Sequence, residues 1–175
     1  MEDAARDVLA ALDGLGIAYD FISHEPAASI EECRPLSARL NAPILKNLFL
    51  TTRRKGGYYL LVMRPDAPFR SGEVSRQAGT SRLCFAPEEP LFKLLRERPG
   101  SISPMGLLFD NERQVTLLLD SALRNMPRLA FHPCVNTHSL AMATADFLLK
   151  FLPAVHREPV WVEIENEELG IRNEE

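Results

Sequence analysis

Three absences narrow the chemistry open to this 175-residue chain. Cysteine is scarce and odd in number: Cys33, Cys84 and Cys134 are far apart, and no Cys-x-x-Cys occurs. That excludes a disulfide framework and fits reduced thiols. Apolar runs are all far shorter than the ~20 residues that cross a bilayer, and the acidic start Met1-Glu2-Asp3-Ala4 has no secretory pattern, so a cytoplasmic protein without a membrane is expected. Excess positive charge is missing as well. At a net charge of −4 the chain is not one that coats DNA, because that binding needs many phosphate-neutralising cations.

Several signatures are also missing. No Gly-x-Gly-x-x-Gly follows a strand, and there is no phosphate loop, nucleophile elbow, paired-carboxylate motif, repeat or low-complexity linker. A doubly wound nucleotide-binding fold is therefore not expected.

What is present is ordinary in bulk, with 46% hydrophobic and 25% charged residues, enough for one sizeable core. The domain is expected over 1–165, with an acidic tail at 166–175. The most informative stretch is Ile44-Leu45-Lys46-Asn47-Leu48-Phe49-Leu50. It reads as a buried strand with two polar residues at its centre. Alternation puts Lys46 on one face with Ile44, Leu48 and Leu50, and Asn47 on the other with Leu45 and Phe49. Such a lysine either extends its stem to water or is a functional ammonium at the floor of a cleft. The turn Arg53-Arg54-Lys55-Gly56-Gly57 then joins it to a second strand, 58–64, as a hairpin.

Helices are expected at 3–15, from Ser29 to about Leu40, at 71–78, from Pro87 with a stop at Pro99-Gly100, and from Thr144 to Leu152. Asp3, Ser71 and Thr144 are read as caps, and Ser29 and Glu32 as a capping box with Pro35 unsettling the middle of that helix. Further strands are expected at 17–22, 82–86, 107–109, 114–120, 129–132, 137–142 and 159–164, and a helical turn at 121–125. The sum is an α/β (α+β) fold, a mixed, largely antiparallel sheet surrounded by helices.

Three further places could carry chemistry. Gly100-Ser101-Ile102-Ser103-Pro104 is either a helix end followed by a turn or a loop whose N–H groups hold an oxyanion. In Phe131-His132-Pro133-Cys134-Val135-Asn136-Thr137-His138, His132 is either a buried, satisfied histidine or part of a site wall. His132, Cys134 and His138 have zinc-binding donor types, but no recognised spacing and no clear fourth ligand beyond His24 or Cys84. His24-Glu25-Pro26 precedes Ser29, which already has a capping task.

Taken in order, these motifs resemble the YbaK/ProX family of aminoacyl-tRNA editing domains, related to the insertion domain of prolyl-tRNA synthetase. The matching segments are His24-Glu25-Pro26 with Ser29-Ile30-Glu31-Glu32, then Lys46 to Leu50, then Gly100 to Pro104 with Met105-Gly106-Leu107-Leu108, and finally Phe131-His132-Pro133 with Val135-Asn136-Thr137. The pattern is closest to the free-standing ProX type. The resemblance implies an aminoacyl-tRNA deacylase that edits mischarged tRNA(Pro) in trans. Ala-tRNA(Pro) is the expected substrate, and Cys-tRNA(Pro) or a non-catalytic tRNA- or protein-binding module of the same fold are the alternatives. It implies catalytic roles for Lys46, Gly100 and His132. Substrate contacts are implied for Asn47, Ser29, Ile30, Ser101, Ile102, Ser103, Pro104, Phe131 and Asn136. No metal or cofactor is expected. The expected partners are the tRNA(Pro) acceptor end and prolyl-tRNA synthetase. Ser29 and Ile30 depart from the family's Thr and Val, which bears on substrate choice.

Overall fold

A computed structural model describes residues 2–165; the acidic tail expected at 166–175 lies outside the described residues. Eight strands form two sheets where one was expected. The smaller sheet has the order β1-β7-β6, from Tyr19–Ser23, His138–Ala143 and Arg128–Phe131, all antiparallel. The larger has the order β4-β2-β3-β5-β8, from Leu83–Phe85, Lys46–Thr52, Tyr58–Met63, Val115–Asp120 and Val160–Val162. Within it β2 pairs antiparallel with β3 and β4, while β3–β5 and β5–β8 are parallel.

The two sheets touch through the chain just before β2. Ile44 bridges Ala130 of β6 in parallel, with Leu45 N–H donating to the Ala130 carbonyl and Ala130 N–H to the Pro43 carbonyl. Beyond this bridge the first chain runs on as β2 of the larger sheet, while β6, paired with β7 from Arg128, ends at Phe131.

Alternation along the strands builds three cores. Leu45, Phe49, Leu60, Val62, Leu117 and Leu119 of the larger sheet face Leu129, Phe131, Leu140 and Met142 of the smaller one in the main core. Helices α1 (Asp3–Gly14), α4 (Glu88–Leu95) and α5 (144–154) add to it through Val8, Leu12, Leu91, Leu95, Phe147 and Phe151. The outer face of the smaller sheet, Ala130 and Ala141, is covered by α2 (Ile30–Leu40) through Cys33, Leu36 and Leu40. The outer face of the larger sheet, Leu50, Leu61, Met63 and Leu118, is covered with α3 (Ser71–Ala78) through Val74.

Local expectations fare unevenly. The capping box at Ser29 forms in full, and α2 runs unbroken through Pro35 to a left-handed Asn41. Asp3, Ser71 and Thr144 are the first helical residues instead of caps. Thr144 instead donates its hydroxyl to the Met126 carbonyl. The segment expected as a strand at 107–109 lies in a 3-10 helix, Pro104–Phe109. Pro104 fixes the starting φ and the Ser103 hydroxyl accepts from Met105 N–H, which favours a helical start over an extended one. The turn Ser121–Asn125 is also 3-10, capped by Asp120. Helix α5 carries a π-helical segment at Phe147–Phe151.

A buried ion pair closes the far side. Asp110 accepts from the Gln114 and Val115 amides at 3.0 and 2.8 Å and from the Arg157 guanidinium. Both side chains are almost fully buried. Arg157→Met removes the only cation on this carboxylate among the described residues and should cost about 3–5 kcal/mol, measured as a shift in urea unfolding.

Candidate functional site

The parting of the strands opens a cleft. Lys46 lies two residues beyond Ile44, and His132 lies two residues beyond Ala130, so both follow the parallel bridge at the same remove and both line the cleft. The cleft has a volume of about 250 Å³. Its lining includes Ala28, Ser29, Ile30 and Cys33 from the start of α2, Ile44 to Leu48 from the floor strand, Gly100 and Ile102 from the loop, and His132.

Lys46 lies on the α3 face of β2 with Leu48 and Leu50, as alternation requires. Its ammonium donates to the Ala67 carbonyl at 2.6 Å. Burial pushes its pKa below the usual lysine value, and the nearby Asp66 carboxylate works against that. Asn47 shares its face with Leu45 and Phe49. Its amide nitrogen donates to the Leu45 carbonyl at 3.1 Å, while its buried Oδ1 has no hydrogen-bond partner among the described residues. A buried acceptor left unmade is costly, so Oδ1 is ready for a donor from a ligand.

His132 is held by an ordered chain of histidines. Its Nδ1 lies 3.0 Å from the His138 carbonyl and 3.2 Å from Ser139 Oγ, and Ser139 Oγ lies 2.8 Å from His24 Nε2. His24 Nδ1 lies 2.7 Å from the Glu25 carbonyl. Carbonyl oxygens can only accept, so both Nδ1 atoms carry the proton. The Ser139 hydroxyl then donates to His24 Nε2 and accepts from His132. His132 Nε2 lies 3.9 Å from the Cys33 thiol, and the Ala27 carbonyl also lies against the ring. Burial holds the His132 pKa below the ordinary 6.5; the His138 and Ala27 carbonyls oppose that shift, and the charge of His24 adds to it. Burial thus favours the uncharged imidazole.

The loop is a scaffold as much as a donor array. The Ser101 amide donates to the Arg98 carbonyl at 3.0 Å and the Ser103 amide to Glu97 Oε1 at 3.1 Å, so neither faces a ligand. Gly100 and Ile102, both lining the cleft, are the loop residues whose N–H groups have no partner among the described residues. Gly100 adopts φ +92°, and a Cβ there would lie 2.9 Å from the Ala28 Cβ, so only glycine allows the loop to approach the α2 entrance.

The other expected contact residues stand back from the cleft. Ser103 and Pro104 are buried in the cap of the 3-10 helix. Phe131 lies fully in the main core, its ring centroid 5.1 Å from that of Phe147, and therefore does not form the pocket wall expected of it. Ser101 and Asn136 line a neighbouring hollow with Arg96 and Arg98. From there Asn136 accepts the Ala27 amide through its backbone carbonyl, joining the loop layer to α2.

The three donors considered for zinc diverge. Cys134 Sγ points to Glu97 Oε2 at 3.3 Å, the His138 ring stacks on Phe21, and His132 faces the cleft. Among the described residues no three His, Cys, Asp or Glu side chains gather around a common point. A larger hollow of about 390 Å³ lies beside α3, where Arg76–Glu73 and Arg70–Glu165 neutralise one another.

Glu97, Ser139 and Cys33 carry no motif and were not singled out by sequence. Glu97 is fully buried beneath the loop and accepts from the Ser103 amide and the Cys134 thiol, with the Gly106 amide also near. A Cβ on Gly106 would lie 2.5 Å from its carboxyl oxygen, so this glycine makes room for the acid. Only a charged residue inside an apolar stretch, Leu94-Leu95-Arg96-Glu97, hints at it.

A lysine, a histidine and two amides without partners among the described residues thus line one small, partly apolar cleft. Residues 24–149 match the aminoacyl-tRNA editing domain family, and the chain belongs to it; it is an enzyme of the deacylase class. It is 33% identical over 160 residues to prolyl-tRNA synthetase associated domain-containing protein 1 of Danio rerio, covering 90% of this chain and 86% of that protein. It is also 33% identical over 144 residues to the prolyl-tRNA editing protein ProX of Acetoanaerobium sticklandii, covering 82% and 88%. The same fold occurs in the crystal structure of a candidate trans-editing enzyme for prolyl-tRNA synthetase, with a TM-score of 0.71, 17% identity, and 95% and 99% of the two chains covered. Among the described residues no helix is long and apolar enough to cross a membrane.

Burial raises the Glu97 carboxyl well above the ordinary 4.5, against the pull of the Ser103 amide, the Cys134 thiol and the Gly106 amide. As pH rises past that value the unfolded carboxyl ionises first, so the folded state holds more protons and stability falls with pH until the native group also ionises. Glu97→Gln, which keeps the shape without the acid, should flatten that decline when urea midpoints are compared between about pH 5 and 8.

Proposed function

We propose that the protein edits mischarged tRNA(Pro) in trans, beside prolyl-tRNA synthetase, by hydrolysing the ester that joins a wrong amino acid to the terminal adenosine. The observation that carries this reading is that Lys46, Asn47, Gly100, Ile102 and His132 line one cleft beside the Ile44–Ala130 bridge, with Asn47 Oδ1 lacking a hydrogen-bond partner among the described residues.

The substrate ester is already activated, so positioning, a water and charge stabilisation suffice. The Gly100 and Ile102 amides and the Lys46 ammonium take up charge on the carbonyl oxygen. Asn47 Oδ1 accepts from the α-ammonium of the amino acid. His132 Nε2 orients the attacking water and accepts its proton. Water adds to the carbonyl carbon, the bond to the ribose oxygen breaks, and the proton passes to that oxygen. The products are a free amino acid and a tRNA with both terminal hydroxyls restored.

Alanine is the residue the cleft is proposed to accept. Ile30, Ile44 and Ile102 supply apolar walls at the opening. Walls exclude a larger proline by clash more sharply than they can reject a smaller side chain, which loses only about 1–3 kcal/mol per missing methylene. Cysteine differs from alanine by one sulfur, and a deacylation panel with Ala-, Cys-, Ser- and Pro-tRNA(Pro) separates the two readings. Faster hydrolysis of Cys- than Ala-tRNA(Pro) overturns the choice of alanine, and hydrolysis of none overturns the enzyme reading.

Lys46→Ala should lower the deacylation rate by about two to three orders of magnitude and leave the fold intact, as judged by circular dichroism. Near-normal activity in that variant overturns the role of Lys46. The wild-type rate should also fall on the acid side at a pH below 6.5, where His132 becomes protonated and loses its Nε2 lone pair. In His132→Ala the remaining activity should lack that acid limb.

A further inference from the structure

The face of β2 that carries Lys46 continues past the cleft mouth into an aromatic pair that the hydrolytic site does not use. Leu48 and Leu50 follow Lys46 on this face, and Leu50 pairs with Phe85 of the edge strand β4. Phe85 is 67% exposed. Beside it stands Phe69, half-buried against the α3 core, with ring centroids 5.9 Å apart and ring planes at 60°. Phe69 follows Ala67, whose carbonyl holds the Lys46 ammonium, by two residues. The 67–69 segment thus links Lys46, held by the Ala67 carbonyl, to Phe85, met by the Phe69 ring. Strand geometry puts Leu50, and Phe85 beside it, about 13 Å from Lys46.

The strip ends in positive charge. Leu83 pairs with Thr52, so Arg82 lies next to the exposed turn Arg53-Arg54-Lys55. None of these three turn residues makes an ion pair among the described residues. Arg82 donates to Ser71 Oγ at 3.2 Å. The acids that follow, Glu88 and Glu89, lie in the first turn of α4, where they complement the positive end of that helix.

An exposed aromatic next to a basic cluster, on a chain whose net charge is −4, fits a single-stranded nucleic acid: rings stack on bases and arginines meet phosphates. We propose that Phe85, backed by Phe69, is the stacking platform for a base of the single-stranded 3′ end of the tRNA substrate, one or two nucleotides before the ester. This rests on the proposed deacylase function. With the ester at Lys46, the spacing to Phe85 is that of a chain leaving the cleft along β2, with the duplex arriving at Arg53, Arg54, Lys55 and Arg82.

The test pairs kinetics with a binding signal. Phe85→Ala, at an exposed position, should fold as the parent does and raise KM for Ala-tRNA(Pro) roughly ten-fold with kcat unchanged, within the range for one stacked base. Phe85→Trp should restore the parent KM. Uncharged tRNA(Pro) carrying 2-aminopurine in place of either of the two nucleotides before the terminal adenosine should be quenched by the wild type at one of those positions and not by Phe85→Ala. An unchanged KM together with equal quenching by Phe85→Ala overturns the platform. So does self-association of the protein that Phe85→Ala abolishes while KM stays the same, since the patch then serves a second copy. If no aminoacyl-tRNA is hydrolysed, the enzyme reading fails, and the quenching measurement still decides whether the platform binds RNA.

Discussion

The structure depends on one short parallel contact, the bridge between Ile44 and Ala130. There the chain before β2 and strand β6, which pairs with β7 on its other edge, exchange two backbone hydrogen bonds. Beyond it β2 continues into the larger sheet while β6 ends at Phe131, and the space between must be filled by something other than a strand. The start of α2 and the loop at 98–104 fill most of it, and a cleft remains. Backbone amides at a place where strands diverge need no loss of fold stability to face a ligand. This resembles the crevice at which open α/β sheets place their sites, where neighbouring strands turn to different partners. Because the bridge is parallel, Lys46 and His132 follow it at the same remove, and both line the cleft.

Around this opening, buried polar groups keep the walls still. The Ser29–Glu32 capping box fixes the entrance of α2, and the Ala27 amide ties it to Asn136. Glu97 holds the loop from beneath through Ser103, with Gly106 and Cys134 on its other oxygen. The His24–Ser139–His132 chain orients the base from behind. The capping box is local, whereas the Ala27–Asn136 tie and the His24–Ser139 link join residues far apart in sequence, and together they hold the walls to the tolerance that a reaction relying on positioning allows.

The elements were legible where local physics decides them. The period-2 pattern from 44 to 50 sorted Lys46 and Asn47 to the faces that they occupy, and the capping box marked α2 despite Pro35. Two sheets in place of one could not be read, because the split rests on a single long-range bridge at Ile44. Phe131 matched a family motif and so looked like a pocket residue, yet alternation from buried Leu129 already placed it in the core. Glu97 and Ser139 were silent for the opposite reason. Their roles come from tertiary contacts, and nothing in their neighbours' spacing records them.

The central claim is that the parted strands form the seat of the aminoacyl ester. Titrating the protein with 3′-alanylamino-3′-deoxyadenosine, an amide that cannot be hydrolysed like the ester, while following backbone amide resonances, tests it directly. The account predicts shifts centred on Lys46, Asn47, Gly100, Ile102 and His132. Shifts centred instead on the neighbouring hollow at Arg96, Arg98 and Asn136, with the Lys46 and His132 signals unmoved, would contradict it.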